Sequence, residues 1–244
     1  MLPTFTLLSY QIYTYPLILG IIWACSYHLA KALLVKNSSL FKYFNFYFSG
    51  VFLSSWGGAK ILFLLTVSDE LALRAISATS FWFGGGFVFF GGLIGGSIFS
   101  IWFGIRYQLP LFRFSFLIPI IALGHGIGRV GCLLAGCCYG QVCELPWSIH
   151  MHGQFRHPVQ LYEAILLGTL AWYFYKQYLN KKSIVLEYIF LYSLLRFVIE
   201  FFRGDKIRGN VYGLMSTSQG ISLCLMFCCA WFLYVKRSNL RTSR

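Results

Sequence analysis

The sequence predicts an all-α, polytopic membrane protein with seven transmembrane helices, the N-terminus outside and the C-terminus in the cytoplasm. Three observations carry this expectation. Hydrophobic residues make up 58% of the 244 positions and charged residues only 11%, a composition that water-exposed surfaces do not tolerate. Seven apolar stretches approach the ~20 residues an α-helix needs to cross the hydrocarbon core. Lysine and arginine cluster on alternate connections, as the positive-inside rule requires.

The expected spans are 14–30, 44–66, 84–104, 115–135, 159–176, 184–202 and 211–235. Pro16 and Pro119 fall where an end or a kink accommodates them. Pro158, just before the fifth span, suits a first helical position. Lys31, Lys36 and Lys42 follow the first span, Arg106 and Arg113 the third, Lys176, Lys181 and Lys182 the fifth, and Lys236, Arg237, Arg241 and Arg244 the seventh. The opposite side carries Arg74, Arg156, Arg203, Lys206 and Arg208, partly offset by Asp69, Glu70, Glu144 and Asp205. Twelve basic residues against five set the orientation. Residues 1–244 are expected to form a single transmembrane domain, with outer-side loops at 136–158 and 203–212 near the site.

The first residues lack a charged n-region and a small-residue cleavage site, so the first apolar segment is expected to be retained. The net charge of +13 reads as topology; no polar domain offers a groove for nucleic acid. Eight cysteines, several in apolar runs, do not read as a secreted disulfide framework.

Chemistry is concentrated in four segments. Arg129 lies in HGIGRVGCLLAGCCYG (125–140) and Arg196 in YSLLRFVIEFFRGD (192–205), both inside or beside apolar spans. An intramembrane guanidinium is costly and normally pairs with an anion or a ligand, here an anionic lipid headgroup. On a helix His125, Arg129 and Cys132 share a face. The guanidinium offers a rigid donor fork to a phosphate, and His125 could donate to it or accept a thiol proton. Tyr192, Arg196, Glu200 and Arg203 recur at intervals of four, four and three, which predicts one polar stripe on an apolar helix. HPVQLYEA (157–164) places Gln160 and Glu163 on one face of the fifth span. Glu163 could hold Arg129 or bind a headgroup hydroxyl; an internal ion pair is the plainer role. GGLIGG (91–96), with Gly91 and Gly92, permits close helix packing or walls a headgroup, with Phe89 and Phe90 then against the acyl chains. Cys132, Cys137, Cys138 and Cys143 are separated by five, one and five, which does not match a zinc knuckle; inert buried cysteines are more ordinary, and no metal or cofactor is expected.

Taken in order, these segments resemble the prolipoprotein diacylglyceryl transferase family. Tyr15 in YTYPLILG is similar to a first-span tyrosine of that family, and GGLIGG to its glycine motif. GRVGCLLAGCCYG (128–140) occupies the place of the signature G-R-x-G-N-F-x-N-G-E-x-x-G, followed by ELPW, HPVQLYEA and RFVIEFFRGD. Departures mark a divergent branch, among them Phe90 for the histidine before the glycine motif, Cys132 for the first signature asparagine and Cys137 for the signature glutamate.

The resemblance implies transfer of a diacylglyceryl group from phosphatidylglycerol, or a related anionic phospholipid, to the lipobox cysteine thiol of a preprolipoprotein. Glycerol phosphate leaves. Arg129 and Arg196 would bind the phosphate, His125 would assist thiol deprotonation, and Tyr15 and Glu200 would orient the groups. Gly91, Gly92, Cys132, Cys137, Tyr139, Gly140, His157, Gln160, Glu163, Tyr192 and Arg203 would line the substrate site. The bacterial cytoplasmic (inner) membrane, with the active site toward the outer leaflet, is the implied location. Three alternatives remain open: a phospholipid-dependent transferase with a non-lipoprotein acceptor, a non-catalytic lipid-binding or transport protein, and a thiol-redox enzyme.

Overall fold

The computed structural model describes residues 4–7, 10–34, 39–78, 81–82, 87–180, 184–204, 210–211 and 215–242. The fold is helical, with three two-stranded hairpins as its only sheets among the described residues. Two compact units divide it, residues 4–116 and residues from Leu117 onward.

In the first unit a hairpin, β1 (Thr4–Leu7) and β2 (Tyr10–Tyr13), leads into α1 (Thr14–Leu33). Pro16 sits in the first turn of α1, where no intrahelical N–H bond is lost. Next come α2 (Phe44–Thr66), the short α3 (Asp69–Ser77) and α4 (Phe89–Arg106). Residues 87 and 88 are not helical, so the third span starts later than the expected 84; residues 83–86 lie outside the described set. GGLIGG builds the α2–α4 contact. A Cβ on Gly91 would collide with the Gly58 carbonyl, one on Gly95 with the Ser54 carbonyl, and one on Gly92 would come within 3.2 Å of the Ser55 carbonyl. The glycine motif is therefore accounted for by backbone approach between two helices. The side chains of Phe89 and Phe90 are outside the described residues.

The second unit holds α5 (Leu117–Ala135), β3 (Ile149–Met151), β4 (Gln154–Arg156), α6 (Val159–Leu179), α7 (Val185–Ile199), β5 (Asn210–Val211), β6 (Met215–Ser216) and α8 (Thr217–Thr242). Gly126 lets α5 lie close on α6, with the Ala164 carbonyl 3.2 Å from where its Cβ would be. Ile118, Phe174 and Ile184 form an apolar core ringed by Leu170, Tyr178, Tyr188 and Leu191.

Three helical runs among the described residues are long and apolar enough to cross a membrane: Thr14–Leu33, Phe44–Thr66 and Arg113–Ala135. Large apolar side chains face outward, among them Leu53, Leu65, Ile98, Ile105, Ile165, Trp172, Phe227 and Trp231, while Lys60, Glu163, Arg196, Glu200 and Arg203 are buried. This is the distribution of a protein whose solvent is lipid.

Two expectations about element ends are corrected. The helix of the sixth expected span, α7, stops at Ile199 and a 3-10 turn, Glu200–Phe202, follows. Arg203 is extended and pairs with Gly140 in a β-bridge, so it does not continue a stripe along α7. The last helix starts at Thr217 rather than 211 because a reciprocal cap fixes it. The Gln219 amide donates to Ser216 Oγ at 3.2 Å, and the Ser216 amide donates to Gln219 Oε1 at 3.0 Å.

Candidate active site

One carboxylate organises the second unit. Glu163, 2% exposed on α6, receives Arg196 of α7 through Nη1–Oε1 at 2.6 Å and pairs with Arg129 Nε of α5 through Oε2. Arg196 reaches with its other nitrogen to Glu200 Oε2 at 2.6 Å and donates to Ser218 Oγ of α8 at 3.3 Å. The planar guanidinium spans two carboxylates, which a lysine ammonium could not do with fixed geometry. Arg203 Nη1 stands 3.9 Å from Glu163 Oε1. Three guanidiniums and two carboxylates thus share one buried site with a formal excess of one positive charge. His125 lies one turn from Arg129 on α5, its ring 5.3 Å from that of Tyr192 on α7. The expected helix face of His125, Arg129 and Cys132 is formed.

The segment after α5 brings three thiols together. Gly136, at φ +74°, is the left-handed residue that ends the helix. The Gly136 amide donates to the Leu133 carbonyl at 3.1 Å and the Cys137 amide to the Cys132 carbonyl at 3.0 Å, the paired bonds of a Schellman motif. That motif folds Cys137 back over Cys132. Cys138 also adopts a positive φ, 60°, which a side chain normally avoids. The three sulfurs lie within 4.8 Å of one another. The Cys132 and Cys137 thiols and the Arg203 guanidinium all reach Cys138 and hold its thiol well below the usual thiol range. Gln160, 1% exposed, donates to the Cys137 carbonyl at 2.7 Å and ties this segment to α6.

The expected outer loop at 136–158 is a structured flap. β3 and β4 pair through a two-residue turn, His152–Gly153, both at positive φ as such hairpins require. Val142 bridges to Arg156, and Gly140 bridges to Arg203. A Cβ on Gly140 would collide with the His157 carbonyl, so the glycine is needed for this crossing of strands. Tyr139 packs on His152 and under the Arg156 guanidinium, 4.7 Å from its ring centroid. His157 contacts Tyr162 and Phe202, and Trp147 Nε1 donates to Tyr162 Oη at 2.8 Å. Tyr139 and His157 therefore belong to aromatic clusters of the 136–158 segment and its neighbours Tyr162 and Phe202. Of the second expected loop, 203–212, only residues 203, 204, 210 and 211 are described.

Tyr15, half-buried in α1, and Gly91 and Gly92 belong to the first unit; the ionic and thiol groups are assembled within the second. Sequence reasoning passed over Ser218, and it weighed Cys138 only among the candidate zinc cysteines, not as part of the substrate site. Both had a local signal: Ser-Thr-Ser-Gln at 216–219 is a capping pattern, and Ala-Gly-Cys-Cys at 135–138 ends a helix at its glycine.

Apolar helices with outward-facing large side chains, enclosing arginines and carboxylates, define a multi-pass membrane protein with an internal charged site. A family model described as prolipoprotein diacylglyceryl transferase matches residues 3–235, and the chain belongs to that family. It is similar to the phosphatidylglycerol–prolipoprotein diacylglyceryl transferase of Clostridium tetani, at 36% identity over 57% of this chain and 60% of that one. It is also similar to transferase 2 of the same description from Clostridium perfringens, at 36% identity over 69% of both chains. The counterpart from Methylobacillus flagellatus is 29% identical over 73% of this chain and 72% of its own. The match thus spans 60% to 72% of these relatives' lengths.

Proposed function

We propose that this protein transfers a diacylglyceryl group from phosphatidylglycerol, or a related anionic phospholipid, to the lipobox cysteine thiol of a preprolipoprotein. In this reaction the acceptor sulfur forms a bond to the terminal glyceryl carbon. The bond from that carbon to the phosphate oxygen breaks, the oxygen keeps the electron pair, and glycerol phosphate departs. The thiol proton goes to a base. The observation that carries the reading is the convergence of Arg129 and Arg196 on one carboxylate, Glu163. Two guanidiniums aimed at one point fit a phosphodiester and stabilise the charge that grows on its leaving oxygen. Glu163 holds that place without lipid and would shift toward Arg203 when phosphate enters. His125, beside Arg129, is the base we assign, with Glu200 fixing Arg196 and Tyr192 facing the imidazole. Tyr15 takes an orienting role on the family resemblance alone.

With the seven spans, single transmembrane domain and outside N-terminus that the sequence predicts, this site would face the outer leaflet of the bacterial cytoplasmic membrane. Purified protein in phosphatidylglycerol vesicles, given a labelled lipobox peptide, is expected to yield a thioether-linked diacylglyceryl peptide. Arg129→Ala is expected to lower the rate at least 100-fold, roughly the loss of one strong transition-state contact. Lipid turnover without peptide lipidation would overturn the acceptor and favour a transferase with a different one. Cys132 and Cys137, at positions where the family carries asparagine and glutamate, are the specific reason to keep that second reading. Lipid binding with no turnover would leave a lipid-binding or transport protein.

A further inference from the structure

Cys132, Cys137 and Cys138 are not used by the reaction as proposed, yet the fold spends two left-handed residues and a buried glutamine on gathering them. We propose that these three thiols bind one zinc ion as thiolates, leaving its fourth position open to an incoming thiol. All three sulfurs lie within 4.8 Å of one another, and no other described His, Cys, Asp or Glu belongs to the group. Zinc–sulfur bonds of about 2.3 Å require sulfurs roughly 3.8 Å apart. The observed limit of 4.8 Å is within about 1 Å of that spacing. The backbone is already held by hydrogen bonds from the Cys137 amide to the Cys132 carbonyl and from the Gly136 amide to the Leu133 carbonyl, and by Gln160 on the Cys137 carbonyl.

A disulfide explains the arrangement less well. It would use two sulfurs and strand the third, and a bond between neighbours Cys137 and Cys138 closes a strained ring. A soft divalent ion uses all three. The positive surroundings agree, because the unit of one zinc and three thiolates is itself an anion. Arg203, already at Cys138, is placed to hydrogen-bond a ligating sulfur as second-layer groups do at metal sites.

Cys132 is buried but Cys137 is exposed, so the trio can be approached from outside. Three protein ligands and one open position is the pattern of a catalytic rather than a structural zinc. A thiol that enters that position gives up its proton more readily and stays on the metal as thiolate; for the acceptor's cysteine the proton goes to the base assigned above, His125. Identification of the incoming thiol as the acceptor's cysteine rests on the transfer reading above; the metal site does not.

The test uses the full-length protein purified in detergent without chelator. Metal analysis is expected to find one zinc per chain, and zinc-edge X-ray absorption to count three sulfurs and one lighter ligand. Adding a lipobox cysteine peptide is expected to raise the count to four sulfurs, and the same peptide with serine to leave it at three. Cys132→Ser, Cys137→Ser and Cys138→Ser are expected to lose the ion, whereas Cys143→Ser keeps it. Wild-type protein that takes up no zinc with its thiols free, or that holds a disulfide within the trio, overturns the proposal. Zinc with four sulfurs before peptide is added overturns the open position. The absorption measurement on wild type decides even where a serine variant fails to fold. Zinc bound with no lipid transfer would sink the transferase reading and leave the metal site standing.

Discussion

At the scale of residues, Glu163 has the most to lose. It is the anion shared by Arg129 and Arg196, with Arg203 close by, and almost none of it meets solvent. Removing one partner from a buried ion group leaves uncompensated charge, at a cost of about 3–5 kcal/mol. Glu163→Gln is therefore expected to lower thermal stability in detergent sharply and to abolish transfer. Arg196→Lys keeps the charge but loses the fork that spans Glu163 and Glu200. It is expected to fold and to lose at least 10-fold in rate, measured in the same vesicle assay. An unchanged rate would show that the fork has no part in catalysis. The sequence disclosed the members of this group, since intramembrane charges are rare and conspicuous. It offered Glu163 as a holder of Arg129, which the structure bears out, but not as the partner of Arg196, because helical spacing constrains neighbours on one helix only. Glu163 to Arg196 joins two helices.

At the scale of elements, glycines fix how closely backbones meet. Gly136 ends α5 in the left-handed region and delivers Cys137 onto Cys132. Gly136→Ala is expected to cost about 1 kcal/mol and to loosen the trio, read as faster thiol alkylation at Cys132. Gly91 has no room for a side chain against Gly58. Gly91→Val is expected to separate α2 from α4 and to reduce the yield of folded protein; normal yield and stability would argue against that packing. The helices themselves were legible from apolar length, and all seven expected spans contain one. Their ends were less so. The stripe of Tyr192, Arg196, Glu200 and Arg203 assumed a helix through residue 203, but the chain leaves the helix after Ile199 to let Arg203 bridge Gly140. A long-range bridge of that kind leaves no periodic trace in the local sequence.

At the scale of the whole molecule, lipid as solvent explains the distribution of side chains. Leu65, Ile105 and Phe227 are each more than 70% exposed, while arginines and glutamates are enclosed. Reporter fusions after residues 36, 107, 181 and 240 are expected to score as cytoplasmic, and one within 142–154 as external. A reversed pattern would put the charged site toward the inner leaflet and overturn the proposed orientation. Composition, apolar length and the ordered motifs by themselves determined a helical membrane protein, its family and the members of its buried ionic group, because each is a local property that the solvent enforces. Only the tertiary structure decided that Glu163 sits between two arginines, that Ser218 completes their contacts and that three cysteines meet. Those are distances between segments far apart in the chain, set by how helices pack and where caps and bridges end them.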